Sequence, residues 1–167
     1  MTREQITPKF YLDELSVSAS HPELVEPVPS RLRPRAEQLL IEVAQPIRDV
    51  IRQPMIITSG YRSVALNNAV TGSRTSQHRK AEAFDFRCAN IGLAWSAIRK
   101  AVRAGRLSNV GQLIYYPDRG FIHAALPSRR FPVPTLCLHW PARGYRYAVL
   151  GGSEPAWKDA LGLYYVA

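Results

Sequence analysis

Apolar positions in this chain change rhythm several times, and each change marks an element. From Ser30 to Ile51 the residues Leu32, Ala36, Leu39, Leu40, Val43, Ile47, Val50 and Ile51 recur at helical spacing, giving one apolar stripe. Ser30 suits the N-cap, Pro34 falls in the first turn, and Gln53-Pro54 closes the helix. Glu37, Glu42 and Asp49 form its solvated face. A second helical rhythm runs from Asn90 to Ala104, with Ile91, Ala94, Trp95, Ile98 and Val102 inward and Gly105 as the stop. A short helix is expected from Val64 to Val70.

Strand-like runs lie between these helices. Met55-Ile56-Ile57-Thr58 reads as a short buried strand, and Ala83-Phe84-Asp85-Phe86 as another. Alternation puts Phe84 and Phe86 on one face of the latter, with Ala83 and Asp85 on the other. Gln112 to Tyr116 and Gly120 to Leu126 are joined by turn chemistry at Pro117-Asp118-Arg119-Gly120 and predict an antiparallel hairpin. A further strand is expected from Tyr145 to Leu150. The whole predicts an α+β fold, a small antiparallel sheet packed with about three helices. Residues 1–29 read as an irregular lead-in from which Phe10, Leu12, Leu15 and Val17 dock on the core. Residues 30–127 form that core, and 128–167 a proline-rich C-terminal extension docked on the core or on a partner.

Composition narrows the class. With 167 residues, 46% of them hydrophobic, the chain is long enough for one domain with its own core. It contains no apolar run long enough to span a membrane. The first residues lack the apolar segment of a secretory signal, so synthesis in a cytoplasm is expected, with any export by another route such as lysis or packaging into a particle. The two cysteines, Cys88 and Cys137, are too few for a disulfide framework and read as small buried residues. The formal charge of +9 favours polyanionic surroundings, namely nucleic acid, wall polymer or an anionic surface. Basic clusters such as Ser128-Arg129-Arg130 are short and carry no interleaved aromatics, so no specific nucleic-acid motif is present.

Chemistry concentrates in Ser76-Gln77-His78-Arg79-Lys80-Ala81-Glu82-Ala83-Phe84-Asp85 and in His123 of the later strand. Two imidazoles and a carboxylate suit a borderline-soft divalent ion. Three protein ligands with an open position is the pattern of a catalytic zinc site rather than a closed structural one. His21, beside Pro22, reads as an exposed loop histidine, and His139 as core or interface.

Ser-x-His, the following Ala-x-Asp and the aromatic-Ile-His strand together resemble the zinc D-Ala-D-Ala carboxypeptidases and related peptidoglycan endopeptidases, phage endolysins among them. Similar text recurs at Ser59 to Ser63, Asn67 to Val70 and Gln112 to Ile114, so the resemblance runs from about Phe10 to Pro127. It implies the Hedgehog/DD-peptidase fold and zinc held by His78, Asp85 and His123. It also implies hydrolysis of a peptidoglycan peptide bond by zinc-activated water. Arg62 would stabilise the developing oxyanion, and Tyr61, Ser76 and Tyr116 would line the substrate site.

Two departures stand out. The usual glycine of the first motif is Ala81. Where the family carries a carboxylate base near the second histidine, this chain has Tyr116, Gly120 and Ala125. Asp118 is then the nearest acidic candidate for the base, with Glu82 a poorer one. The alternative expectation is a weak or inactive module on the same fold, bound to phage structural proteins through the C-terminal extension.

Overall fold

The structure is a computed structural model, and it describes residues 3–140 and 144–149. A small hairpin comes first, β1 (Gln5–Thr7) with β2 (Phe10–Tyr11). Helices α1 (Arg33–Leu39) and α2 (Gln45–Ile51) follow, joined by a π-helical turn at Leu40–Ala44. The predicted single helix is therefore continuous but locally widened. Pro46 explains this, because it has no N–H to return to the Glu42 carbonyl and its ring crowds the preceding turn. The start also shifts, since Ser30–Leu32 form a 3-10 turn and the α-helix proper begins at Arg33.

The main sheet contains β3 (Ile56–Ser59), β4 (Ala83–Arg87), β5 (Gln112–Tyr116), β6 (Phe121–Ala125), β7 (Thr135–Trp140) and β8 (Gly144–Val149). Their order across the sheet is β3-β4-β6-β5-β7-β8. All neighbours are antiparallel except β5 and β7, which run parallel, so the sheet is mixed rather than antiparallel. β7 follows the prolines Pro132 and Pro134, which in the sequence read as irregular chain. The expected strand near the C-terminus is present as β8.

Helix α3 (Val64–Ala69) is capped by the Ser63 side chain, and α4 (Ile91–Arg103) by that of Asn90. One sheet face is apolar. Phe84, Phe86, Leu113, Ile122 and Ala124 are fully buried and share a core with Leu39, Val43, Ile47 and Ile98 of the helices. Each large side chain so buried contributes about 1.5–3 kcal/mol.

The lead-in is tied to this body. Phe10 and Leu15 are fully buried, and the Leu15 carbonyl accepts from Tyr61 N–H at 2.7 Å. Gly60 sits so close to this segment that a Cβ there would lie 2.1 Å from the Leu15 carbonyl oxygen. Only glycine fits. Of the two cysteines, Cys137 is buried as expected but Cys88 is only partly so. Among the described residues no helix is long and apolar enough to cross a membrane.

Candidate metal centre

Register builds the site on the opposite sheet face. Ser59 pairs with Asp85, Asp85 with His123, His123 with Ile114, and Ile114 with Cys137, so these side chains form one row across five strands. Two residues further along the same face, Tyr116 pairs with Phe121. His78 arrives from outside the sheet, on the 3-10 turn Gln77–Lys80. Ala81 ends that turn in the left-handed region at φ 54°, which accounts for the glycine usual at this point of the resembled motif. A non-glycine residue there costs about 1–2 kcal/mol.

Three ligand-type atoms converge. His78 Nε2 lies 3.3 Å from His123 Nδ1 and 3.4 Å from Asp85 Oδ1, and His123 Nδ1 lies 2.8 Å from Asp85 Oδ1. Zinc with ligands at about 2.0–2.1 Å in tetrahedral array needs ligand–ligand edges of roughly 3.3 Å. Two of the three edges match this, and the third is shorter because the histidine donates a hydrogen bond to the carboxylate. Together the three groups can hold a divalent ion.

The surrounding contacts fix these ligands. His78 Nδ1 donates to the Gly60 carbonyl at 2.7 Å, which leaves Nε2 free to face the other two. Arg62 donates to Asp85 Oδ2 at 2.8 Å and to Ser59 Oγ at 2.8 and 3.0 Å, so the guanidinium occupies one carboxylate oxygen and leaves Oδ1 to the histidines. Burial lowers the His78 pKa, outweighing the opposing pull of Asp85, and keeps the ring neutral. For Asp85 burial works upward, but the field of the neighbouring imidazoles and the hydrogen bond from His123 prevail and hold the carboxyl far below its usual range. Neutral imidazole and ionised carboxylate are the forms that bind metal.

The trio lies in a cleft of about 1100 Å³. Arg62, Ser76 and Tyr116 line it. Tyr61 does not. It is buried in the main core with its N–H on Leu15, so it faces away from the neighbour Arg62 that enters the cleft. Asp118 is also absent from the cleft walls. The turn closes directly after Tyr116, whose carbonyl accepts from both Arg119 and Gly120, and the Asp118 carboxylate lies 3.9 Å from Arg119 at the tip. Glu82 does line the cleft and pairs with Arg35 at 3.5 Å.

His21 is half-exposed beside Glu23, away from the cleft. His139, read from the sequence as core or interface, forms part of the cleft wall, its ring 4.8 Å from that of Tyr116. The residues sequence reasoning passed over are Ser59, the Gly60 carbonyl and the Arg129-Arg130 pair. The last was visible as a basic cluster, but its position over the cleft was not.

A mixed sheet carrying Asp85 and His123, met by His78 from the adjoining 3-10 turn on the wall of a cleft, defines a metallopeptidase-type site. The chain belongs to the Peptidase M15 family, whose profile matches residues 8–125. It is similar to the peptidoglycan L,D-endopeptidase MepK of Escherichia coli K12 and to that of Shigella flexneri, each 39% identical over 77 residues. That match covers 43% of this chain and 40% of the relative, so the chain spans less than half the length of the curated relatives it matches.

Proposed function

We propose that this protein is a zinc-dependent peptidoglycan peptidase of low intrinsic turnover. The observation that carries the reading is the convergence of His78 Nε2, Asp85 Oδ1 and His123 Nδ1 at near-tetrahedral spacing on the wall of a substrate-sized cleft. Membership of the family and the likeness to an L,D-endopeptidase support peptidoglycan as the substrate. A zinc ion held there supplies Lewis acidity, polarising a carbonyl and acidifying water enough for attack near neutral pH.

The chain's own residues do the rest. Arg62 holds Asp85 in place and brings a fixed positive charge to where an oxyanion develops. Ser76 and Tyr116 border the space a peptide would fill. Proton transfer is the weak step. Apart from Asp85, Glu82 is the carboxylate of the described cleft wall, and it is engaged by Arg35. A positioned base contributes about 10²–10⁴ in rate. The same feature favours a second reading, a metal-loaded wall-binding module with no turnover. The +9 charge supports action on an anionic cell wall, whether the protein arrives there by lysis or in a virion.

The test is release of peptide fragments from purified peptidoglycan by the zinc-loaded protein, beside a His123→Ala control. Slow release that disappears in the control and on chelation is expected. A folded, zinc-loaded protein releasing nothing would leave the binding module.

A further inference from the structure

Four of the basic residues that line the cleft are exposed and carry no ion pair among the described residues: Lys80, Arg87, Arg129 and Arg130. The two cleft carboxylates are already committed, Asp85 to Arg62 and the histidines, Glu82 to Arg35. The rim therefore presents uncompensated positive charge over a floor that itself suits a cation.

Two of these cations sit on a turn whose backbone is closed by hydrogen bonds. Ser128 N–H donates to the Phe131 carbonyl at 3.0 Å and Phe131 N–H returns a bond to the Ser128 carbonyl at 3.1 Å. Ser128 Oγ accepts from Phe131 N–H as well, at 3.2 Å. Such reciprocal bonding closes a two-residue loop whose tip is Arg129-Arg130. The loop hangs from the end of β6, where Leu126 N–H donates to the Glu82 carbonyl at 2.9 Å, and the Arg130 guanidinium lies 5.3 Å from the Phe131 ring centroid. Both arginines line the same cleft as the metal centre. A guanidinium fork matches a carboxylate in two parallel hydrogen bonds, and an anchored loop loses little freedom on binding.

We propose that the Arg129-Arg130 tip is a carboxylate reader, selecting peptides whose free carboxylates lie near the bond presented to the metal centre. This rests on the peptidase reading, since it assumes a peptide in the cleft. Peptides with those carboxylates amidated are the poorer ligands and substrates.

The test compares a synthetic cell-wall stem peptide bearing free carboxylates with the same peptide fully amidated. Equilibrium binding to the zinc-loaded full chain at low salt is measured first, and hydrolysis second. The free-carboxylate peptide is expected to bind about tenfold more tightly, with the preference shrinking toward unity in roughly 0.5 M salt. Arg129→Ser/Arg130→Ser should abolish the preference, Arg129→Lys/Arg130→Lys should restore part of it, and Arg31→Ser/Arg106→Ser, outside the cleft, should retain it. Equal affinity for the two peptides, or a preference unchanged in the Arg129/Arg130 serine variant, overturns the proposal. Discrimination in binding without hydrolysis upholds the reader and removes the peptidase. Hydrolysis of both peptides at equal kcat/KM with equal affinity does the reverse.

Discussion

At the scale of the residue, the cleft shows where a carboxylate base can be placed and where it cannot. Tyr116 lines the cleft on the face that carries His123, stacked on Phe121 at 4.3 Å. Ala125 is fully buried opposite Ala83. Tyr116→Glu is therefore expected to fold and to raise the rate of peptide release at least tenfold, part of what a positioned base can contribute. Ala125→Asp should instead destabilise the protein by at least 1–3 kcal/mol, because its carboxylate would be buried without a prepared partner. Thermal melts beside the release assay check both, and a Tyr116→Glu protein with intact metal binding and no gain in rate would contradict the first. Asp85 and His123 were legible in the sequence through the motif and their place in strand-like runs, and His78, on a turn, through the motif alone. Tyr61 and Asp118 were not, because one lies at a change of direction and the other at a turn tip, where alternation gives no guide.

At the scale of the element, the lead-in governs the metal site through one contact line. Leu15 presses on Gly60, and the Gly60 carbonyl holds His78. Gly60→Ala would push a methyl group into the Leu15 carbonyl, and relief requires the strand end to move. The expected result is a loss of about 1–3 kcal/mol in stability and a drop of roughly 10- to 100-fold in metal affinity, read by unfolding and by competition with a zinc chelator. Unchanged metal affinity in a destabilised variant would show that the carbonyl does not position the ring. The helices were readable from periodicity, whereas the start of the first one moved to Arg33 and the π turn was set by Pro46 inside an otherwise regular stripe. The parallel partner of β5 was hidden for a different reason. Its pairing joins segments separated by a hairpin and a proline-rich loop, and no local pattern encodes such a return.

At the scale of the whole molecule, acid acts on the metal-free protein through two buried groups whose pKa values are shifted in the same direction. His78 and Asp85 both have folded-state pKa values below their ordinary values of 6.5 and 3.8. Each therefore contributes stability present above its ordinary value and lost as pH falls toward the folded one. Tm of the metal-free protein should begin to fall below about pH 6.5 and fall again below about pH 4, while saturating zinc should raise Tm at pH 7 and delay the first decline. A metal-free Tm that stays flat from pH 7 to pH 5 would contradict the His78 assignment. The α+β architecture was legible because amphipathic helices and alternating strands each follow a local rule. The mixed sheet order was not, since it depends on how the whole chain closes.

The bond from His78 Nδ1 to the Gly60 carbonyl has a spectroscopic consequence. A carbonyl can only accept, so this nitrogen carries the proton before any ion arrives, and the residue is buried. Its imidazole proton should exchange slowly and stand apart as a downfield resonance in the metal-free protein. Titrating zinc should shift that signal without erasing it, a built-in reporter of a ligand set oriented in advance of the metal.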